Sequence, residues 1–249
     1  MPYVGGLCAA LAALVITNLA TTIYLHRGLT HRSLTVRNPL RFLFRIHLWL
    51  TTGIRSRDWV AVHRKHHRFP DEAGDPHSPY EHGWGNVLML NFFICAKETR
   101  NPETIAKYSS DIRDDRWDRW VFNHTWVGFF LGWTLFGLAF GWLPGSLGFL
   151  FHGASYLWLN GAINSLCHVF GYKNYGRHHA TNLPVLAFLC WGEGYHNNHH
   201  EYPTSPSFQA TKTEWDPGWW GVRMFSRLRQ IQILGLPIET RAPKLAARS

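Results

Sequence analysis

Residues 3–25 read YVGGLCAALAALVITNLATTIYL, an uncharged apolar run that leads directly into His26-Arg-Gly-Leu-Thr-His31. As a helix it would be roughly 34 Å long, at about 1.5 Å per residue, enough to cross the hydrocarbon core of a bilayer. A secretory signal is the rival reading. It is disfavoured because no basic residue precedes the run and a histidine motif follows it at once.

The rest of the chain repeats this segregation. All 25 basic and 16 acidic residues lie in 27–120 and 173–249, and none lies in 1–26 or 121–172. The mean hydropathy of −0.18 therefore joins charge-free blocks to strongly polar ones. The second charge-free block divides at Gly141-Trp142-Leu143-Pro144-Gly145 into helices expected over 122–141 and 146–167. Three spans follow, over about 3–25, 122–141 and 146–167. With no Lys or Arg before Arg27 or in the 141–145 turn, the positive-inside rule places both polar blocks, 27–120 and 173–249, in one cytoplasmic cap. The net charge of +9 is then a topology and lipid-surface signal, and no nucleic-acid partner is expected.

Shorter apolar stretches at 40–54, 86–96 and 183–191 read as interfacial or core helices. Trp219–Leu236 is basic and amphipathic, with Val222, Phe225, Leu228 and Ile231 on its apolar side, and is expected to form a helix on the cap or membrane surface. The four cysteines, at 8, 95, 167 and 190, form no C-x-x-C pair and no dense framework, so neither a disulfide scaffold nor a thiolate zinc site is indicated. The expected fold class is all-α and integral to the membrane, one domain over 1–249.

Sixteen histidines are the chain's anomaly, and they cluster. His26 and His31 end the first span; His63-Arg-Lys-His66-His67 and His196-Asn-Asn-His199-His200 lie in the two polar blocks. On a helix, positions i, i+3 and i+4 share a face, so each H-x-x-H-H can aim three imidazoles at one point. The spacing of five between His26 and His31 shares a face less well and suits a helix end whose two rings address different metals. Eight imidazoles exceed the needs of one zinc and suit two first-row transition ions. His47, His82, His124, His152, His178 and His179 lack ligand spacing and read as interfacial or hydrogen-bonded.

These three boxes, in this order around a helical hairpin, resemble the integral-membrane fatty acid desaturases, and most closely the delta-9 type in its bacterial acyl-CoA or acyl-lipid branch. Asp58-Trp59-Val60, Asp75-Pro76-His77, Asn164-Ser165-Leu166-Cys167-His168 and Gly192-Glu193-Gly194 extend the resemblance over roughly residues 5–237. It implies a ninth histidine ligand at His168, with Asn164 reaching a metal through water. His77 would stand behind the ligands. It also implies two Fe2+ ions and O2, with no catalytic residue beyond the ligands. The activity implied is formation of a cis double bond, at delta-9, in an acyl-CoA or a membrane lipid acyl chain. No GxGxxG motif is present, so electrons are expected from a separate reductase with ferredoxin or cytochrome b5. Family members typically have four spans, and the first apolar run here resembles the second of them. The implied location is a bacterial inner membrane, with the active site facing the cytoplasm.

On the substrate side, Trp59 matches a position lining the family's acyl tunnel. The face running back from His26 through Thr22, Asn18 and Leu14 is where the family limits chain length. Two positions depart from the animal acyl-CoA enzymes: Ala61 stands for an Arg that contacts CoA, and Gly161 stands for a Trp. The alternatives are a related diiron hydroxylase or oxidative decarboxylase, and a non-catalytic metal-binding membrane protein, whose signature would be a lost ligand.

Overall fold

The computed structural model describes residues 1–238; residues 239–249, the end of the cap expected over 173–249, lie outside the described residues. Helix α1 (Pro2–Ala20) continues without a break into a π-helical segment (Thr21–Thr30). The combined helix, Pro2–Thr30, is the one helix among the described residues long and apolar enough to cross a membrane. On either side of the break at Gly141, α7 (Thr125–Phe140) and α8 (Trp142–Val169) form the expected hairpin. Its turn is shorter than the sequence suggests, because Trp142 already opens α8. Helix α7 is apolar but has 16 residues, and α8 has 28, with His152, Asn160 and Asn164 lowering its hydropathy. Val4, Leu11, Phe130, Leu138 and Leu150 are exposed along these helices, an apolar exterior suited to lipid.

Helix α1 packs along α8, and α2 (Leu40–Thr52) packs against both α1 and α7. Several polar groups inside this bundle are paired with one another, as a low-dielectric environment favours. Thr17 Oγ1 donates to Ala13 O and lies 2.9 Å from Nε2 of both His47 and His152; Thr21 pairs with the Tyr156 hydroxyl at 2.9 Å. His47 and His152 are thus hydrogen-bonded, as the absence of ligand spacing suggests.

The cap comprises α3 (Ser56–Arg68), α4 (Pro79–His82), α5 (Trp84–Glu98), α6 (Pro102–Tyr108), α9 (Pro184–Leu189), α10 (His196–Glu201) and α11 (Pro217–Arg227). A two-stranded antiparallel sheet joins β1 (Leu34–Val36) to β2 (Ile231–Ile233), in the register Leu34↔Ile233. Helix α5 lies along α8 so closely that a Cβ on Gly161 would stand 2.2 Å from Leu88 O. The α5 backbone therefore occupies the room that a tryptophan at 161 would need.

The expectation of one amphipathic helix through Trp219–Leu236 is corrected. Helix α11 stops at Arg227; Arg229 takes a left-handed conformation, and Ile231–Ile233 pairs with β1. Val222 and Ile231 still reach one core with Ile23, Leu25, Leu34 and Trp219, because the strand turns its apolar residue inward where the helix has ended.

Candidate metal centre

The π-helical segment decides the first histidine pair. Its i→i+5 bonds, such as His31 N–H to His26 O at 3.1 Å, put residues five apart on one face. His26 and His31 consequently meet edge to face, with ring centroids 4.8 Å apart, and join the same cluster. The expectation that they address different centres fails, because it assumed α-helical spacing.

The expectation that each H-x-x-H-H box aims three imidazoles at one point also fails, since both boxes are split between two groups. Successive α-helical side chains diverge by about 100°, so adjacent histidines cannot aim at one point. On α3, His63 and His67 face one cluster and His66 the other; on α10, His196 and His200 stay together and His199 crosses over. The result is a group of five, His26, His31, His63, His67 and His199, and a group of four, His66, His168, His196 and His200. All nine expected histidines lie in these two groups. Neighbouring Nε2 atoms approach to 2.9–3.1 Å along His26–His199–His67–His63, and to 3.1–3.2 Å along His66–His200–His196.

Most of these rings are fully buried, and His31 and His67 are half-buried. Burial first, and mutual repulsion second, hold His31, His63, His66, His67, His196, His199 and His200 well below the usual histidine pKa. The rings are therefore neutral at pH 7, which is the ligating form.

Carboxylates stand behind three of them. Asp75 accepts from His66 Nδ1 at 2.8 Å, Asp71 accepts from His168 Nδ1 at 2.7 Å, and Glu193 Oε2 lies 2.6 Å from His26 Nδ1. An Nδ1–H held in this way leaves Nε2 as a lone-pair donor facing inward. Burial alone would raise the Glu193 carboxyl, but His26, Arg27 and Thr22 outweigh it and hold the group below its usual range. Asp71 is raised to about 6, by burial and then by Asp75. The Asp75 and Glu193 positions could be quoted from sequence, but their role could not; Asp71 carried no signal. His77 stacks on His66 with centroids 4.4 Å apart and belongs to neither group of histidines.

This donor set fits cations. Ring nitrogens about 3 Å apart match neighbouring donors around one ion bound at about 2.1 Å in octahedral-like geometry. Nε2 of both His31 and His168 is buried without a hydrogen-bond partner, a costly arrangement for a protein group unless an ion takes the lone pair. Exchanging Asp75 for Asn should lower metal affinity by about 10- to 100-fold while leaving the fold intact. Chelator competition measures this, and an unchanged affinity would count against the orienting role.

The remaining expected site residues surround the first group. Trp59 stacks on His63 at 4.9 Å and meets His26 edge-on at 6.0 Å. The Thr22 hydroxyl donates to Glu193 and accepts from Arg27, so it braces the carboxylate behind His26. Asn18 donates to Leu14 O at 3.0 Å, and Leu14 packs against the apolar cluster that Leu159, Ala162 and Ile163 form with Cys167, Leu186 and Cys190. Asn164 is half-buried one turn before His168. Sequence reasoning missed the brace beneath this site: Arg27 and Asp216, both fully buried, pair at 2.9 and 3.1 Å, with the guanidinium 3.9 Å from the Phe208 ring centre. Gly192, at φ +97°, gives this pair room, since a Cβ there would lie 2.0 Å from Asp216 Oδ1.

Comparison with known proteins agrees with this geometry. The fatty acid desaturase family model matches residues 2–216. The chain is 32% identical over 235 residues to the sn-1 stearoyl-lipid 9-desaturase of Synechocystis sp., covering 93% of this chain and 72% of that protein. It is 31% identical to the Delta-9 desaturase-like 2 protein of Arabidopsis thaliana, covering 94% and 78%, and 30% identical to Delta-9 acyl-lipid desaturase 2 of the same plant, covering 94% and 74%. The histidine-rich helical cap, the family match and these relatives together establish that the chain belongs to the delta-9 fatty acid desaturase family and is an oxidoreductase.

Proposed function

We propose that the chain, as a single domain, introduces a cis double bond at delta-9 into the acyl chain of a membrane lipid, using O2 and two external electrons at a diiron centre held by the nine histidines. The observation that carries this reading is the pairing of five- and four-histidine groups, each braced by buried carboxylates. Two iron ions bound there would supply the O2-dependent oxidising power needed to remove hydrogen from two adjacent methylenes. The balance is two methylene hydrogens, O2, two electrons and two protons in, and one alkene and two waters out. Asn164 is assigned to approach the four-histidine group through water.

The protein's own contribution is orientation and exclusion of water. Glu193, Asp75 and Asp71 fix three imidazoles, and Trp59 supplies an apolar wall beside His63 and His26. Ala61 in place of a CoA-contacting Arg favours a lipid over acyl-CoA, in keeping with the names of two relatives. The charge-free blocks support a three-span topology of α1, α7 and α8, with the cap on the cytoplasmic side of a bacterial inner membrane. Electrons are assigned to ferredoxin or cytochrome b5 with its reductase.

Leu14 and Asn18 are assigned to the distal end of the acyl path. Leu14→Trp should shorten the product chains and Asn18→Leu should alter their distribution, read by gas chromatography of total fatty acids. An unchanged profile in both variants removes the assignment. The function itself is tested by expressing the chain with an electron-transfer partner and analysing cellular lipids by mass spectrometry. A new monounsaturated chain with its double bond at carbon 9 is expected. A hydroxylated acid or a terminal alkene would instead identify another oxidation.

A further inference from the structure

At the edge of the cap, a cavity of about 340 Å³ opens between the segment before α11 and the first turns of that helix. Lys212, Glu214, Trp215, Trp219, Trp220 and Arg223 line it. The two cations form no ion pair among the described residues. Glu214 is not their ion-pair partner. Its carboxylate is turned inward and accepts from Tyr172, Asn174, Asn198 and the amides of Ala210 and Thr211, leaving the residue 4% exposed. Arg223 lies over the Trp220 ring at 4.4 Å, which holds the guanidinium at the cavity wall.

The depth of this cavity relative to a bilayer follows from its neighbours. Helix α9 packs on α8 through Leu186, which shares a cluster with Leu159, Ala162 and Ile163 of the second apolar block. Phe188 of α9 in turn meets Trp215, with ring centroids 5.7 Å apart. Val185, Phe188, Trp215, Trp220, Met224 and Leu228 are all exposed, forming an apolar ridge beside a basic, aromatic-lined cavity. Tryptophans at the boundary and cations just beyond it are the arrangement that meets lipid head groups.

We propose that this cavity binds the phosphodiester head group of an anionic membrane phospholipid, with Lys212 and Arg223 taking the phosphate and the ridge entering the acyl layer. The proposal rests on the membrane-bound reading of the fold and is independent of the chemistry at the histidines. The bound lipid fastens α11, and through Trp219 the core against which the π-helical segment packs, to the bilayer surface.

Native mass spectrometry of the detergent-solubilised full chain with dioleoyl-phosphatidylglycerol tests it. The wild type should retain one phosphatidylglycerol, and Lys212→Glu/Arg223→Glu should weaken that binding by about tenfold or more, at roughly 1 kcal/mol per basic residue. Arg177→Glu, on an exposed loop elsewhere, should leave it unchanged. Dioleoylglycerol, which has the same tails and no phosphate, should not compete, and inorganic phosphate should compete only at far higher concentration. Equal retention by the double variant overturns the proposal. Competition by free phosphate at concentrations similar to the lipid overturns the lipid assignment in favour of a phosphate site. Retained metal content verifies that the variants fold. Desaturated product from the wild type separates a failure here from a failure of the proposed function.

Discussion

His66→Ala should abolish the new monounsaturated chain, reducing product by more than about 100-fold, and should leave the four-histidine group without its metal. Loss of an outer partner of a ligand already costs about 10- to 100-fold, so loss of a ligand should exceed it. His66 is fully buried, hydrogen-bonded to Asp75 on one nitrogen and 3.2 Å from His200 on the other. Its removal takes away one donor and leaves the Asp75 carboxylate with a lost partner beside a void. The five-histidine group contains no atom of His66 and should keep its ion. Product mass spectrometry and metal analysis of the same preparation read both effects. Full activity in the variant would refute the ligand assignment.

The largest effect on stability is expected at Arg27. Its guanidinium and the Asp216 carboxylate are completely buried, and Arg27 also donates to Thr22 and Trp191 O. Truncating one member of such a pair leaves an uncompensated charge and costs about 3–5 kcal/mol. Arg27→Met should therefore sharply lower the thermal midpoint in detergent. Arg27→Met with Asp216→Leu should be less damaging than the sum of the single changes, because neither charge is then left alone. Equal or additive losses would show that packing on Phe208, rather than charge pairing, dominates. Since Arg27 adjoins His26 and Asp216 caps α11 at Trp219 N, the same loss should loosen the first histidine group.

The helical layout was legible in the sequence because it rests on local features. Charge-free blocks marked α1 and the α7–α8 hairpin, and Gly141 marked its break. The histidine clusters were legible because their residue type is rare and their spacing short. What could not be read depended on distant partners or on an unusual helix. Nothing local announces ten residues of π-helix, so the grouping of His26 with His31 was misjudged. The division of each box between two groups follows from helical angles, but only α3 and α10 placed face to face show which histidine crosses over. Ile231–Ile233 looked helical from its apolar spacing and became a strand because β1, nearly 200 residues earlier, offered pairing. Arg27 and Asp216 are separated by 189 positions, and no pattern links them before folding.

The central claim is that nine histidines in two groups hold two irons that act on an acyl chain. Iron content per chain, measured on purified enzyme whose desaturation turnover is recorded in the same sample, tests it most directly. About two irons per active chain, falling together with turnover when chelator is added, is the predicted result. Full turnover with one iron or none per chain would contradict it.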